Sequence, residues 1–160
     1  MSNLSKVFSV IGLGNTLRRD DGIGIVVLES LLQFYREENV DYLNFGTASF
    51  NLVNKIKDYK AVLLIDGIDA GLLPGELKIF DLQDICYNTE DCNSSTHELN
   101  LTSLFELSRK LGLKTKIYVA GIQVQDTGWG EGLSPAVNNN RQDIIENISF
   151  FIKENFVNHS

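Results

Sequence analysis

The chain has 160 residues, 43% of them apolar and only 2 of them proline, which is enough to bury a sizeable core and suits one domain over residues 1–160. A formal net charge of -7 argues against nucleic acid and anionic membranes as partners and leaves a small substrate or another protein. The apolar run at residues 7–13 is broken by Ser9 and Gly12 and is too short for a membrane span or signal sequence, so a cytoplasmic protein is expected. Cys86 and Cys92 have the spacing of neither a zinc knuckle nor a thioredoxin motif and are expected to stay reduced.

Apolar segments of strand length alternate with segments of helical period. That predicts an α/β three-layer sandwich: a mainly parallel twisted sheet, helices on both faces and one antiparallel edge strand. Residues 7–11 make the first strand. After it comes Gly12-Leu13-Gly14-Asn15-Thr16-Leu17-Arg18-Arg19-Asp20-Asp21-Gly22-Ile23-Gly24, which joins a glycine turn, two adjacent carboxylates and a helix start. A dinucleotide fingerprint would need glycine where Leu17 stands, and carboxylates at the helix start would repel a pyrophosphate. The run therefore predicts a site using Asp21 for ligation or proton transfer, with glycines that let something bulky approach the backbone. Asp20 is expected to cap the helix, whose apolar positions Ile23, Val27, Leu31 and Phe34 recur at helical spacing.

A second strand is expected at residues 40–45, a short helix capped by Ser49 to about residue 59, and a central strand at 61–65 that stops at Asp66. Pro74-Gly75 makes a turn before a short strand at 77–80, expected at the antiparallel edge. Residues 83–94 are polar, without a periodic pattern. Ser95 and Glu98 read as a capping box ahead of Leu101, Leu104, Phe105 and Leu111, with His97 in the first turn and Gly112 as the stop. A strand at 116–122 and a loop at 126–133 lead to Ser134-Pro135, which opens the last helix; its face is Val137, Ile144, Ile148 and Ile152.

Ligands of open parallel sheets gather outside the carboxyl ends of the strands, where the following helices begin. Asp21, Asp66 and His97 all map to that edge. Two carboxylates and an imidazole suit a divalent ion such as nickel or zinc with positions left open, and a helix start favours the neutral imidazole that ligates. Each residue has a plain structural reading: a cap for Asp21, a turn residue for Asp66, a solvated histidine for His97. Their convergence on one edge is what favours a site. Asp126-Thr127-Gly128 has the letters of an aspartic-protease loop, but Gln123, Gln125 and Trp129 flank it and no second copy exists. Cys86, Cys92 and His97 are too irregular for a metal cluster. His159 lies at the chain end and is expected to be unstructured.

The chain resembles the maturation endopeptidases of nickel-iron hydrogenases nearly end to end. The resemblance is carried by Gly12-Leu13-Gly14-Asn15-Thr16-Leu17 with Asp20-Asp21-Gly22-Ile23-Gly24, then by Gly46-Thr47, Asp66, Pro74-Gly75, His97 and Gly132-Leu133-Ser134-Pro135-Ala136-Val137 in the family's order. It departs at Asn44, often aspartate in the family, and at Ser49, often glycine; some members carry glutamate where Asp21 stands.

The resemblance implies an aspartic-type endopeptidase that clips the C-terminal extension from the precursor of the hydrogenase large subunit after nickel insertion. Asp21, Asp66 and His97 would be both catalytic and metal-contacting. Nickel would come from the precursor, with zinc or cadmium able to substitute in a crystal. Gly46, Thr47 and Asn15 are the implied substrate-binding positions, and a monomer is implied; Trp129 is either an aromatic anchor for the precursor or a residue that packs within its own loop. The alternatives are a nickel-binding accessory protein using the same ligands without hydrolysis, and a peptidyl-tRNA-hydrolase-like enzyme. The second would need a basic cradle for tRNA and a histidine soon after the turn, whereas this chain is acidic and its first histidine is His97.

Overall fold

The computed structural model describes residues 7–47, 51–84 and 101–158. Five strands, β1 (Phe8–Leu13), β2 (Val40–Gly46), β3 (Ala61–Ile68), β4 (Leu77–Asp81) and β5 (Lys116–Gln123), form one sheet in the order β2-β1-β3-β5-β4. The pairs β1/β2, β1/β3 and β3/β5 are parallel, and β4 runs antiparallel to β5 at the edge. The helices are α1 (Ile23–Phe34), α2 (Leu52–Ile56), α3 (Leu101–Lys110) and α4 (Pro135–Ile152).

Side chains alternate across the sheet, and this sorts the core into two halves. Val10, Leu63 and Ile65 meet Val27 and Leu31 of α1 and Ile144 and Ile148 of α4. On the other face Ile11, Val62 and Leu64 meet Leu52 and Ile56 of α2 and Leu101 and Leu104 of α3. The result is the expected three-layer α/β sandwich. Every residue of β3 is buried, because a central strand covered on both faces has no solvent side to fill with polar residues.

The described elements depart from the sequence reading at several points; α2, for one, stops at Ile56 and not near residue 59. β1 runs on to Leu13 and β3 to Ile68, past the expected stop at Asp66, because Asp66, Gly67 and Ile68 keep their pairing with Gly121, Ile122 and Gln123 of β5. Asp66 is therefore a strand residue and not a turn residue. Phe34 is exposed; α1 ends at Tyr35, whose backbone leaves helical geometry and whose ring packs on the core instead. Gly112, at a φ of 63°, closes α3 as expected, its N–H donating to the Arg109 carbonyl. Ser49, Ser95, Glu98, Cys86, Cys92, His97 and His159 lie outside the described residues, as does most of the 83–94 stretch.

The edge strand β2 is tied to the approach to β3 by the Tyr59 hydroxyl, which donates to Asp41 Oδ2 at 2.7 Å. Burial, and next the hydrogen bond to the Asp41 carboxylate, push the Tyr59 phenol up to about 12. The neutral phenol is thus favoured in the folded state. Its contribution is fully present below the ordinary tyrosine range near 10 and is lost as pH rises towards 12. Urea titrations should show stability falling over that window, with a shallower slope in Tyr59→Phe, which at neutral pH should cost about 1 kcal/mol. An unchanged slope in Tyr59→Phe would refute the assignment.

Candidate active site at the carboxyl edge of the sheet

In the order β2-β1-β3, the chain leaves β1 towards one side of the sheet and later returns to pair on its other side. The two crossovers lie on opposite faces, so a crevice opens beyond the ends of β1 and β3. Both expected carboxylates sit there. Asp21 is in the 3-10 turn Arg19–Gly22 that leads into α1, and Asp66 is on β3 opposite Gly121. Alternation puts Asp66 on the same face as Val62 and Leu64. The turn rests directly on β3: a Cβ built on Gly67 would lie 3.3 Å from the Asp20 carbonyl oxygen.

Two glycines permit this closeness. Gly24 sits under the Leu13 and Ile65 carbonyls with no room for a Cβ, which lets α1 start tightly over β1 and β3. Gly14, at a φ of 135°, is pressed against the carbonyl oxygen of Asp21. What approaches the glycine turn is therefore the chain itself, which corrects the expectation of an external bulky group. Asn15 N–H donates to both the Asp21 carbonyl and Asp21 Oδ2, each at 3.2 Å.

Asp21 and Asp66 are only 3% and 2% exposed. Carboxylates withdrawn from water this far need compensating partners, and the start of α1 supplies positive dipole near Asp21. Carboxylate oxygens are of the donor type that divalent cations take, and Asp21 Oδ2 already accepts from Asn15 N–H. His97 is outside the described residues, and among the described residues no group of three or more His, Cys, Asp or Glu side chains could hold a metal ion. Of the three expected site residues, the described chain places Asp21 and Asp66 at this edge of the sheet. Of the expected substrate positions, Gly46 accepts from Gly14 N–H at 2.9 Å, Thr47 is exposed beside it, and the Asn15 side-chain oxygen is spent on Leu17 N–H at 3.0 Å.

Asp20 does not cap α1, whose N-cap is Gly22 without a side-chain bond. Its carboxylate is 0% exposed and reaches across to the loop before α4. Oδ2 accepts from Gln125 N–H and Asp126 N–H, both at 2.9 Å, and from the Ser134 hydroxyl at 2.7 Å; Oδ1 accepts from Ser134 N–H at 2.7 Å. Backbone bonds reinforce the join: Asp20 N–H to Asp126 O, Arg19 N–H to Gly130 O and Gly130 N–H to Leu17 O.

The same loop accounts for Asp126-Thr127-Gly128. Asp126 Oδ1 accepts from Gly128 N–H and Oδ2 lies 3.5 Å from Arg19 Nε, which makes it a turn former. Sequence reasoning also missed Gln123, whose buried amide accepts from Ala70 and Leu72 N–H and so fixes the loop after β3. No local pattern marks such a residue, since its partners lie on a different element. Asp20→Ala leaves buried N–H groups unsatisfied and should cost at least about 3 kcal/mol in urea unfolding. Amide exchange should accelerate at Gln125, Asp126 and Ser134; a neutral effect on both measures would remove the latch from the account.

The sequence profile of HycI, the hydrogenase maturation protease family, matches residues 25–149. The hydrogenase expression/formation protein HupD of Bradyrhizobium diazoefficiens is 31% identical over 131 residues, which are 80% of this chain and 68% of that protein. HupD of Rhizobium leguminosarum bv. viciae is 28% identical over 80% of this chain and 65% of its own length. The chain thus spans about two thirds of the length of these relatives. Among solved structures, the [NiFe] hydrogenase maturation protease HycI from Thermococcus kodakarensis KOD1 superimposes with a TM-score of 0.73 at 27% identity, covering 94% of this chain and 95% of that one. The hydrogenase maturating endopeptidase HybD from E. coli shares the fold, with a TM-score of 0.78 at 24% identity over 93% of each chain. With the profile running from α1 into α4, and relatives and structures agreeing on one kind of protein, this chain belongs to the hydrogenase maturation protease family.

Proposed function

We propose that this chain is the endopeptidase that removes the C-terminal extension of a nickel-iron hydrogenase large-subunit precursor after nickel insertion, with the inserted metal as the recognition element. Family membership makes it a peptidase of hydrogenase maturation. The observation that carries the finer reading is the burial of two carboxylates, Asp21 and Asp66, at the seam between the ends of β1 and β3. Carboxylate oxygens are donors that a divalent cation accepts, so a metal brought by the substrate is a suitable counterpart at this edge.

In this reading Asp21, Asp66 and His97 take open positions on the precursor's nickel and thereby hold its scissile peptide beside a water. That water is polarised by the metal or deprotonated by a carboxylate. Its oxygen bonds to the carbonyl carbon, the C–N bond breaks, and the leaving nitrogen takes up a proton. Anchoring on the metal also gives the selectivity: a precursor without nickel offers the carboxylates nothing to bind, and its tail is not held in the crevice. Action as a monomer in the cytoplasm belongs to the same proposal.

The test is cleavage of purified precursor with mass readout. Wild-type protein should release a C-terminal fragment from nickel-loaded precursor and none from the nickel-free form. Asp21→Asn and Asp66→Asn keep the side-chain shape and should each lose at least about 100-fold in rate. Near-normal cutting by both variants would overturn the roles assigned to them. Metal uptake without any cutting would favour the nickel-binding accessory reading instead.

A further inference from the structure

Beside the crevice, the joined loops expose a patch that the catalytic reading does not use. Trp129, the chain's single tryptophan, is 75% exposed and Leu17 is 55% exposed. Between them stands Arg18, whose Nε donates to the Thr127 carbonyl at 3.1 Å and whose guanidinium carbon lies 5.2 Å from the centre of the Trp129 ring. Arg18 and Gly130 also form a parallel β-bridge. The arginine is thus held at its inner edge and across one face. With Nε taken, the donor edge that remains is the pair of terminal nitrogens, whose planar fork matches the two oxygens of a carboxylate.

Charge singles this place out. The chain is acidic overall, at -7, while Arg18 and Arg19 stand together at the rim. Arg19 is already beside Asp126, which leaves Arg18 as the charge on offer. An apolar pair flanking a preset arginine has the composition of an interface hot spot. Leu17 and Trp129 are both more than half exposed, so the patch offers open apolar area to a partner surface. It is also continuous with the crevice, since Arg18 N–H donates to the Asn15 carbonyl and Arg18 O accepts from Asp21 N–H.

We propose that Leu17, Arg18 and Trp129 form the docking patch for the folded body of the large-subunit precursor, with Arg18 taking an acidic side chain in a forked hydrogen bond and Leu17 and Trp129 taking an apolar neighbour. The proposal rests on the proteolytic reading above for the identity of the partner. Docking here places the body of the substrate so that its tail falls into the crevice beyond β1 and β3.

Calorimetric titration with nickel-free precursor reads docking without turnover. Trp129→Ser and Arg18→Lys should each weaken the Kd by about 10-fold, with melting temperatures unchanged, and added salt should weaken wild type more than Arg18→Ala. A peptide comprising only the C-terminal extension should not distinguish wild type from the variants. Equal affinity of all forms for the precursor, no binding by wild type, or a loss confined to the tail peptide would each overturn the patch. A chain that docks through the patch yet never cuts nickel-loaded precursor would keep this inference and overturn the proteolytic one.

Discussion

The carboxylate of Asp20 is surrounded by donors from a segment more than a hundred residues away, and the geometry of the crevice follows from that attachment. Two backbone N–H groups of the loop after β5, and both the N–H and the hydroxyl of Ser134, converge on it. Charge-assisted bonds of this length are the stronger kind, and they offset the removal of a charge from water. Because the carboxylate belongs to the 3-10 turn, holding it holds Arg18, Arg19 and Asp21 as well. The two adjacent aspartates divide the work: the first faces into the protein and fixes the backbone, and the second stands at the crevice on the backbone so fixed.

The glycine turn gains a different meaning beside that division. In a nucleotide-binding sheet the same position leaves the backbone open for a phosphate. Here the Asp21 carbonyl fills the space against Gly14, so the cradle is closed by the chain's own oxygen. An anion has no room, while the carboxylate one bond sequence further on remains at the edge. The scaffold used elsewhere to attract negative charge presents it instead.

Most of the architecture was legible because the elements announce themselves locally. The continuous apolar run of β3, the period of α1 and α4, Ser134-Pro135 and Gly112 each carry a local physical reason for strand, helix, start or stop. The placement of Asp21 and Asp66 at the carboxyl edge of the sheet was legible too, since it needs only the rule about the ends of strands. What stayed hidden depends on partners remote in the chain. Asp66-Gly67 reads as a turn until β5 is seen to pair with it. Asp20 reads as a cap because its neighbours in sequence fit one, whereas its donors lie 105 to 114 positions away. Tyr35 displaces Phe34 through a backbone change at the helix end that spacing cannot register.

The long reach of the Asp20 bonds also sets an order of events during synthesis. Asp20 leaves the ribosome early, but Ser134, which supplies two of its donors, follows 114 positions later. Until then the acid stays hydrated and the turn beside it lacks its clamp. The turn that follows β1 is thus completed only by the residue that opens α4.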